Sequence, residues 1–186
     1  MKNMIFTVVA FMVATILNSG VSAQTSLKHI KGAMTVSVGP VVTDDAFGYF
    51  IGESYWLGSK LSWDFRFNNL YGSQKFTKYS NVAFDNQLCY NFLGVKNKFY
   101  IDGVLGCQIG FDNYSSIIED LQKVSLMFVG EGGVKLKFYF NFDWSIWLEA
   151  KQCWGYSKIN KLYPQFALGG SWMLPGINSK SAKKFN

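Results

Sequence analysis

Leu126–Tyr156 reads LMFVGEGGVKLKFYFNFDWSIWLEAKQCWGY, and taking every second residue sorts it into two faces. Phe128, Val134, Leu136, Phe138 and Phe140 fall in one set, and Glu131, Lys135 and Lys137 in the other. Beyond a break at Asn141, Trp144, Ile146, Leu148, Ala150 and Trp154 alternate with Ser145, Trp147, Glu149, Lys151 and Cys153. A period of two marks a β-strand, and two such runs joined by almost nothing make a hairpin. Each run is about twelve residues, against roughly five or six for an ordinary soluble strand. That is about the length that crosses a bilayer at a steep tilt.

Composition points the same way. Of 186 residues, 18% are aromatic and only 16% charged, where a soluble domain carries about a quarter charged residues. No apolar run after the N-terminus is long enough for a spanning helix, which needs roughly 18 residues. With 18 Gly and 3 Pro, the chain reads as all-β. The formal net charge is +6. The last acid is Glu149, and Lys151, Lys158, Lys161, Lys180, Lys183 and Lys184 follow it. No nucleic-acid-binding motif or basic helix accompanies these lysines, so they predict a solvated basic tail and no direct nucleic-acid binding. Cys89, Cys107 and Cys153 are odd in number and show no CxxC spacing; they read as small wall or core residues.

Residues 1–23 predict a secretory signal: Lys2 gives the positive start, Met4–Leu17 the apolar run and Val21-Ser22-Ala23 the small residues before cleavage. The apolar run is short for an uncleaved anchor. The mature chain is expected to begin at Gln24, with residues 24–31 a periplasmic lead-in, 32–174 a β-barrel and 175–186 a polar basic tail.

Within residues 32–174 eight strands are expected: Gly32–Val42, Tyr49–Gly58, Leu61–Leu70, Val82–Phe92, Phe99–Phe111, the two runs of the opening hairpin, and Leu162–Leu174. The second has aromatics in both alternating sets, which leaves its phase ambiguous. Connections after strands two, four and six (Gly58–Lys60, Gly94–Lys98, near Asn141) are short. Those after the odd strands are expected to be longer and polar, notably Tyr71–Asn81 and Asp112–Ser125, the latter with room for a helical turn at Ile117–Leu121. Short periplasmic turns, long outer loops and periplasmic termini characterise an outer-membrane barrel. The expected fold is therefore an all-β, eight-stranded antiparallel up-and-down transmembrane β-barrel.

The opposite polarity, a soluble secreted barrel binding an apolar ligand, would turn the apolar set inward and the charges to water. With the apolar set on lipid, the interior receives Asp64, Arg66, Asp85, Asp102, Glu131, Lys135, Lys137, Glu149 and Lys151: five acids and four bases. An eight-stranded barrel is just filled by side chains, and buried charge is tolerated when paired, so a near-neutral set fits a plugged lumen. Trp63, Tyr90, Phe99, Phe111, Phe140, Trp144, Trp154 and Trp172 sit at strand ends, where aromatic girdles meet the two interfaces.

No catalytic constellation stands out. The one histidine, His29, lies in the lead-in, and a hydrolase triad needs a positioned imidazole. Asp44-Asp45 and Glu119-Asp120 read as solvated turn acids, and Gly130–Gly133 lies inside a strand, not in the strand-to-helix turn of a phosphate loop. No enzyme activity, metal, cofactor or small-molecule substrate is expected.

Lys28–Gly32 (KHIKG), Phe99–Asn113 (FYIDGVLGCQIGFDN), the Gly132–Tyr156 hairpin and Tyr163–Leu174 (YPQFALGGSWML) are spread in order over most of the mature chain. In these the chain resembles the conjugal transfer protein TraO family of Bacteroidetes conjugative transposons. The resemblance implies a non-enzymatic outer-membrane component of a conjugative DNA-transfer apparatus, in a structural or assembly role. Its partners would be outer-membrane lipid and other proteins of that apparatus. The alternatives are a generic small outer-membrane barrel acting in surface adhesion or integrity, and the soluble ligand-binding barrel.

Overall fold

The computed structural model describes residues 31–174 apart from 75–76, 96–97, 117–120, 142 and 158–161. The signal segment, His29, Glu119-Asp120 and the 175–186 tail lie outside the described residues. Eight strands follow in chain order: β1 Met34–Thr43, β2 Ala46–Trp56, β3 Leu61–Gln74, β4 Thr77–Val95, β5 Phe99–Ser116, β6 Leu121–Tyr139, β7 Trp144–Tyr156 and β8 Leu162–Met173. Each pairs antiparallel with the next, and β8 returns to β1 through pairs such as Val36↔Trp172 and Val42↔Phe166. The barrel is closed, as expected, and within its common height every backbone donor and acceptor has a neighbouring strand to bond.

The alternation decides which way the sheet curls. In β7, Ile146 and Leu148 are exposed while Trp147, Glu149, Lys151 and Cys153 are buried. The same division runs around the wall. Val38, Ile51, Phe65, Phe84, Leu105, Ile109, Phe128 and Leu168 face outward and are exposed, while charged and amide side chains face the lumen. This is the reverse of a water-soluble protein, whose large apolar side chains are mostly inside. Glu53, near the β2–β3 turn, is a charged exception on the outer face. Aromatic side chains gather at both ends of the outer wall. Trp144 stacks on Trp172 with centroids 6.1 Å apart, and Tyr90 meets Phe92 at 5.2 Å near the same end. Phe47, Tyr71, Phe111, Trp154 and Tyr156 are exposed at the other.

β2 takes a definite phase: Phe50, Ser54 and Trp56 are buried, and Phe47, Tyr49, Ile51 and Tyr55 exposed. It starts at Ala46, so only Asp44-Asp45 separates it from β1. Two expected connections are corrected. Within Tyr71–Asn81, residues 71–74 continue β3 and residues 77–81 begin β4, paired through Tyr71↔Ser80, Gly72↔Tyr79 and Gln74↔Thr77. Of Asp112–Ser125, residues 112–116 are likewise the end of β5 and residues 121–125 the start of β6, with Asp112↔Ser125 and Tyr114↔Lys123 in register. Of the helical turn at Ile117–Leu121, residues 117–120 lie outside the described residues, and Leu121 opens β6. The physical reason is common to both. Strand pairing is a backbone interaction, and beyond the apolar band both faces can be polar, so the alternation fades while the ladder continues. The asymmetry between the two ends therefore lies in strand length, not loop length. β3 to β6 have 14, 19, 18 and 19 residues, against 10, 11, 13 and 12 for β1, β2, β7 and β8. The excess projects as a four-stranded sheet past one rim.

Two glycines are required by close approach. A Cβ on Gly169 would stand 2.3 Å from Cε2 of Trp147, whose indole lies over it inside the barrel. A Cβ on Gly103 would stand 2.2 Å from Cε2 of Phe92, at the irregularity between Asn91 and Leu93. Placing a charge on the outer wall tests the polarity. Leu148→Lys, near the middle of β7, is expected to lower stability by about 2–4 kcal/mol in lipid vesicles. Unfolding by denaturant would read the loss, and an unchanged midpoint would contradict a lipid-facing position.

Candidate functional site

The lumen gathers the charged residues. All nine named from the alternation are inside: Asp64, Arg66, Asp85, Asp102, Glu131, Lys135, Lys137, Glu149 and Lys151 are each 5% exposed or less. Alternation assigns the face; barrel closure then brings strands far apart in sequence across the lumen. Arg66 on β3 meets Glu149 on β7 with two parallel hydrogen bonds, Nη1 to Oε1 and Nη2 to Oε2, both 2.8 Å. This two-pronged geometry is the strong form of the arginine–carboxylate pair.

From that pair the network spreads in both directions. Lys135 on β6 donates to Asp64 and lies 3.2 Å from Glu149. Lys151 on β7 sits between Asp85 and Glu131, 2.6 Å from each, and 3.7 Å from Glu149. Neutral amides add further donors to the same carboxylates. Gln87 donates to Asp85 at 3.0 Å and to Glu149 at 3.2 Å, Gln108 to Glu131 at 2.7 Å and Asn68 to Asp85 at 3.3 Å. Trp147 closes the group on one side. The Arg66 guanidinium carbon lies 4.5 Å from its ring centroid and Lys135 Nζ 5.0 Å, while Nε1 donates to Ser171 Oγ at 2.7 Å.

Toward the end with the β2–β3, β4–β5 and β6–β7 turns, Lys137 lies 3.8 Å from Asp102 and 5.0 Å from the Trp56 ring centroid. Asn91 donates to Asp102 at 2.7 Å, and Tyr100 and Tyr139 meet edge to face. Toward the other end the filling becomes apolar, with Val41, Ala46, Phe50, Leu70, Tyr79 and Ala167 in one cluster and Ala83, Met127, Val129, Cys153 and Tyr163 in another. The lumen is thus layered: aromatic and charged, then densely ionic, then apolar.

The sequence reading did not place Asp112 in this set. Asp112 is 1% exposed, accepting from Asn81 Nδ2 at 2.8 Å and Ser157 Oγ at 2.7 Å. It raises the interior acids from five to six against four bases. The signal was the phase of β5: Asp102, Gln108 and Asp112 fall on the same even positions, all buried. Asp45 and the Gly130–Gly133 run, also weighed for chemistry, have structural roles. Asp45 accepts from Thr43 Oγ1 at 3.2 Å and from Tyr79 Oη at 2.6 Å, fixing the β1–β2 turn to β4. Gly130 and Gly132 lie beneath the Trp154 ring, where a Cβ would stand 3.0 and 3.3 Å from it, which is close packing and not a phosphate cradle. The cysteines are free thiols, Cys89 and Cys153 buried and Cys107 half-buried. Among the described residues no group of three or more Cys, His, Asp or Glu side chains is placed to hold a metal.

No known family model matches the chain, and no curated protein matches it. Solved structures do. The N-terminal β-barrel domain of Pseudomonas aeruginosa OprF superposes with a TM-score of 0.53 at 15% identity, covering 77% of this chain and 98% of that one. Ail, the attachment invasion locus protein of Yersinia pestis, gives 0.52 at 14% identity, covering 78% and 100%. The outer membrane protein OprG of Pseudomonas aeruginosa gives 0.54 at 11%, covering 81% and 100%. The chain shares their fold. At these identities the likeness is one of architecture, and the chemistry has to be read from this chain's own residues.

Removing one partner of a buried ion pair leaves the other charged and unsolvated, at about 3–5 kcal/mol. Glu149→Leu leaves Arg66 and Lys135 to share the one carboxylate of Asp64 and is expected to destabilise by that amount in denaturant titrations of the refolded protein. Combining it with Arg66→Leu is expected to restore part of the loss. A single-variant effect below about 1 kcal/mol, in the range of an exposed pair, would contradict a sealed network.

Proposed function

We propose that the chain is an outer-membrane β-barrel of a Gram-negative bacterium, inserted after cleavage of its signal peptide. We propose further that it serves as a non-enzymatic structural or assembly component of a conjugative DNA-transfer apparatus. One observation carries the membrane part: an exposed apolar wall around a buried, ion-paired lumen. In water that arrangement would expose apolar surface far beyond the few hundred Å² that monomers tolerate, and it would bury ten charged side chains that water could have solvated. A soluble ligand-binding barrel needs the opposite polarity. The shared fold with OprF, Ail and OprG supports the same reading.

The conjugation part rests on the resemblance of Lys28–Gly32, Phe99–Asn113, Gly132–Tyr156 and Tyr163–Leu174 to the TraO family. It implies outer-membrane lipid and other transfer proteins as partners, with no small-molecule substrate. A scaffold role fits a lumen plugged by side chains. A generic surface role in adhesion or integrity draws on a different feature, the β3–β6 sheet that runs past the rim.

Fractionation and mating together test the proposal. The protein is expected in the outer-membrane fraction, and recovery as a soluble periplasmic protein would overturn the membrane part. Deletion of its gene is expected to lower mating frequency; an unchanged frequency would overturn the conjugation part and leave the surface role. In planar bilayers the purified barrel is expected to give no large conductance, since eight strands enclose a lumen just filled by side chains.

A further inference from the structure

The mouth of the lumen on the β3–β6 extension side holds a cavity of about 20 Å³. Residues of β1 to β6 and β8 line it, together with Ser157, which directly follows β7. That is enough room for one water-sized occupant. Two features of its wall are out of balance. The first is Asp112. Every other interior acid has a Lys or Arg within 4 Å: Asp64, Asp85, Asp102, Glu131 and Glu149 are all ion-paired. Asp112, 1% exposed, forms no ion pair among the described residues and has only the neutral donors of Asn81 and Ser157. The second is Asn81. It is 6% exposed, its Nδ2 is used on Asp112 and on Met127 Sδ, and its Oδ1 accepts nothing. A buried carboxylate without a cation and a buried carbonyl oxygen without a donor are each costly, and both line the same small cavity.

We propose that this cavity is a cation site, with Asp112 and the Oδ1 of Asn81 as its primary ligands and calcium as the ion that fits it best. The chemistry selects the class. Besides Asp112 and Asn81, the side-chain oxygens of the lining residues are the hydroxyls of Thr43, Ser157, Tyr79 and Tyr163. Ser157 and Tyr79 donate their protons to Asp112 and Asp45, and a hydroxyl oxygen keeps its lone pairs when its proton is donated. An all-oxygen set suits a hard cation and not a soft one. Calcium takes six to eight oxygens in irregular geometry, waters included, whereas magnesium demands a near-ideal octahedron. A single carboxylate makes the site weak, on the order of 10⁻⁴–10⁻³ M as in extracellular calcium modules. The ion would tie β4, β5 and the end of β7 together at the mouth and supply the positive charge that Asp112 lacks.

The test uses the mature chain refolded in a non-ionic detergent and titrated with calcium chloride, followed by calorimetry and by the thermal unfolding midpoint. A saturable response with half-saturation on the order of 10⁻⁴–10⁻³ M is expected. Asp112→Asn is expected to abolish it. Asn81→Asp, which adds a second carboxylate, is expected to tighten it about tenfold, following the dependence on ligand charge. Absence of a saturable response in the unmodified chain overturns the proposal, as does an Asp112→Asn protein that titrates like it. Should Asp112→Asn fail to fold, the Asn81→Asp protein decides alone, and half-saturation unchanged by that substitution overturns the site.

Discussion

The Arg66–Glu149 pair is the interaction on which the rest of the structure depends. It joins β3 to β7 across the lumen with two 2.8 Å hydrogen bonds, and Lys135, Asp64 and Lys151 are arranged around its carboxylate. A barrel of eight strands has too narrow an interior to hydrate the side chains that alternation sends inward. Those chains must satisfy one another. Once Glu149 has taken Arg66 and Lys135, Asp64 is left to bridge the two cations from the other side, and Lys151 is free to hold Asp85 and Glu131 together. The amides of Gln87, Gln108 and Asn68 then add neutral donors to the carboxylate oxygens that Lys151 holds.

Such a network is not an efficient source of stability, because well-packed apolar residues often do as well or better. What it gives is polarity. With the inward set charged and mutually paired, the outward set is free to be apolar throughout. The closed sheet removes the backbone edges that lipid would not tolerate. The apolar outer wall, the aromatic rims and the closed hydrogen-bond ladder are three consequences of one division of residues by parity.

How much of this was legible depended on where parity was clean. In β7 the division of Ile146 and Leu148 from Glu149 and Lys151 reads directly, and the nine charges follow from the same rule applied strand by strand. β2 was ambiguous for a physical reason. Phe50 and Trp56 are lumenal aromatics, packed 5.4 Å from the Arg66 guanidinium and 5.0 Å from Lys137, so apolar rings occupy both faces. The far ends of β3 to β6, within Tyr71–Asn81 and Asp112–Ser125, read as loops because polar residues on both sides erase the alternation, although the ladder continues through Gln74↔Thr77 and Ser116↔Leu121. Asp112 and Asn81 were lost with them. The pairing itself was not legible at all: which acid meets which base depends on strand tilt and closure, and Arg66 and Glu149 stand 83 positions apart.

A filled lumen gives the molecule a definite character. It is a filled cylinder with a short-turn rim on one side and a protruding four-stranded sheet on the other. The central claim is the parity of the wall, and spin labels along β7 in phospholipid vesicles measure it most directly. Single cysteines at Ile146, Leu148, Trp154 and Ser145, and the native Cys153, would be labelled one at a time with the other cysteines replaced. The account predicts strong collision with dissolved oxygen at 146, 148 and 154, and weak collision with both oxygen and a polar nickel reagent at 145 and 153. Equal oxygen exposure on the two sets, or nickel exposure at 146, 148 and 154, would contradict it.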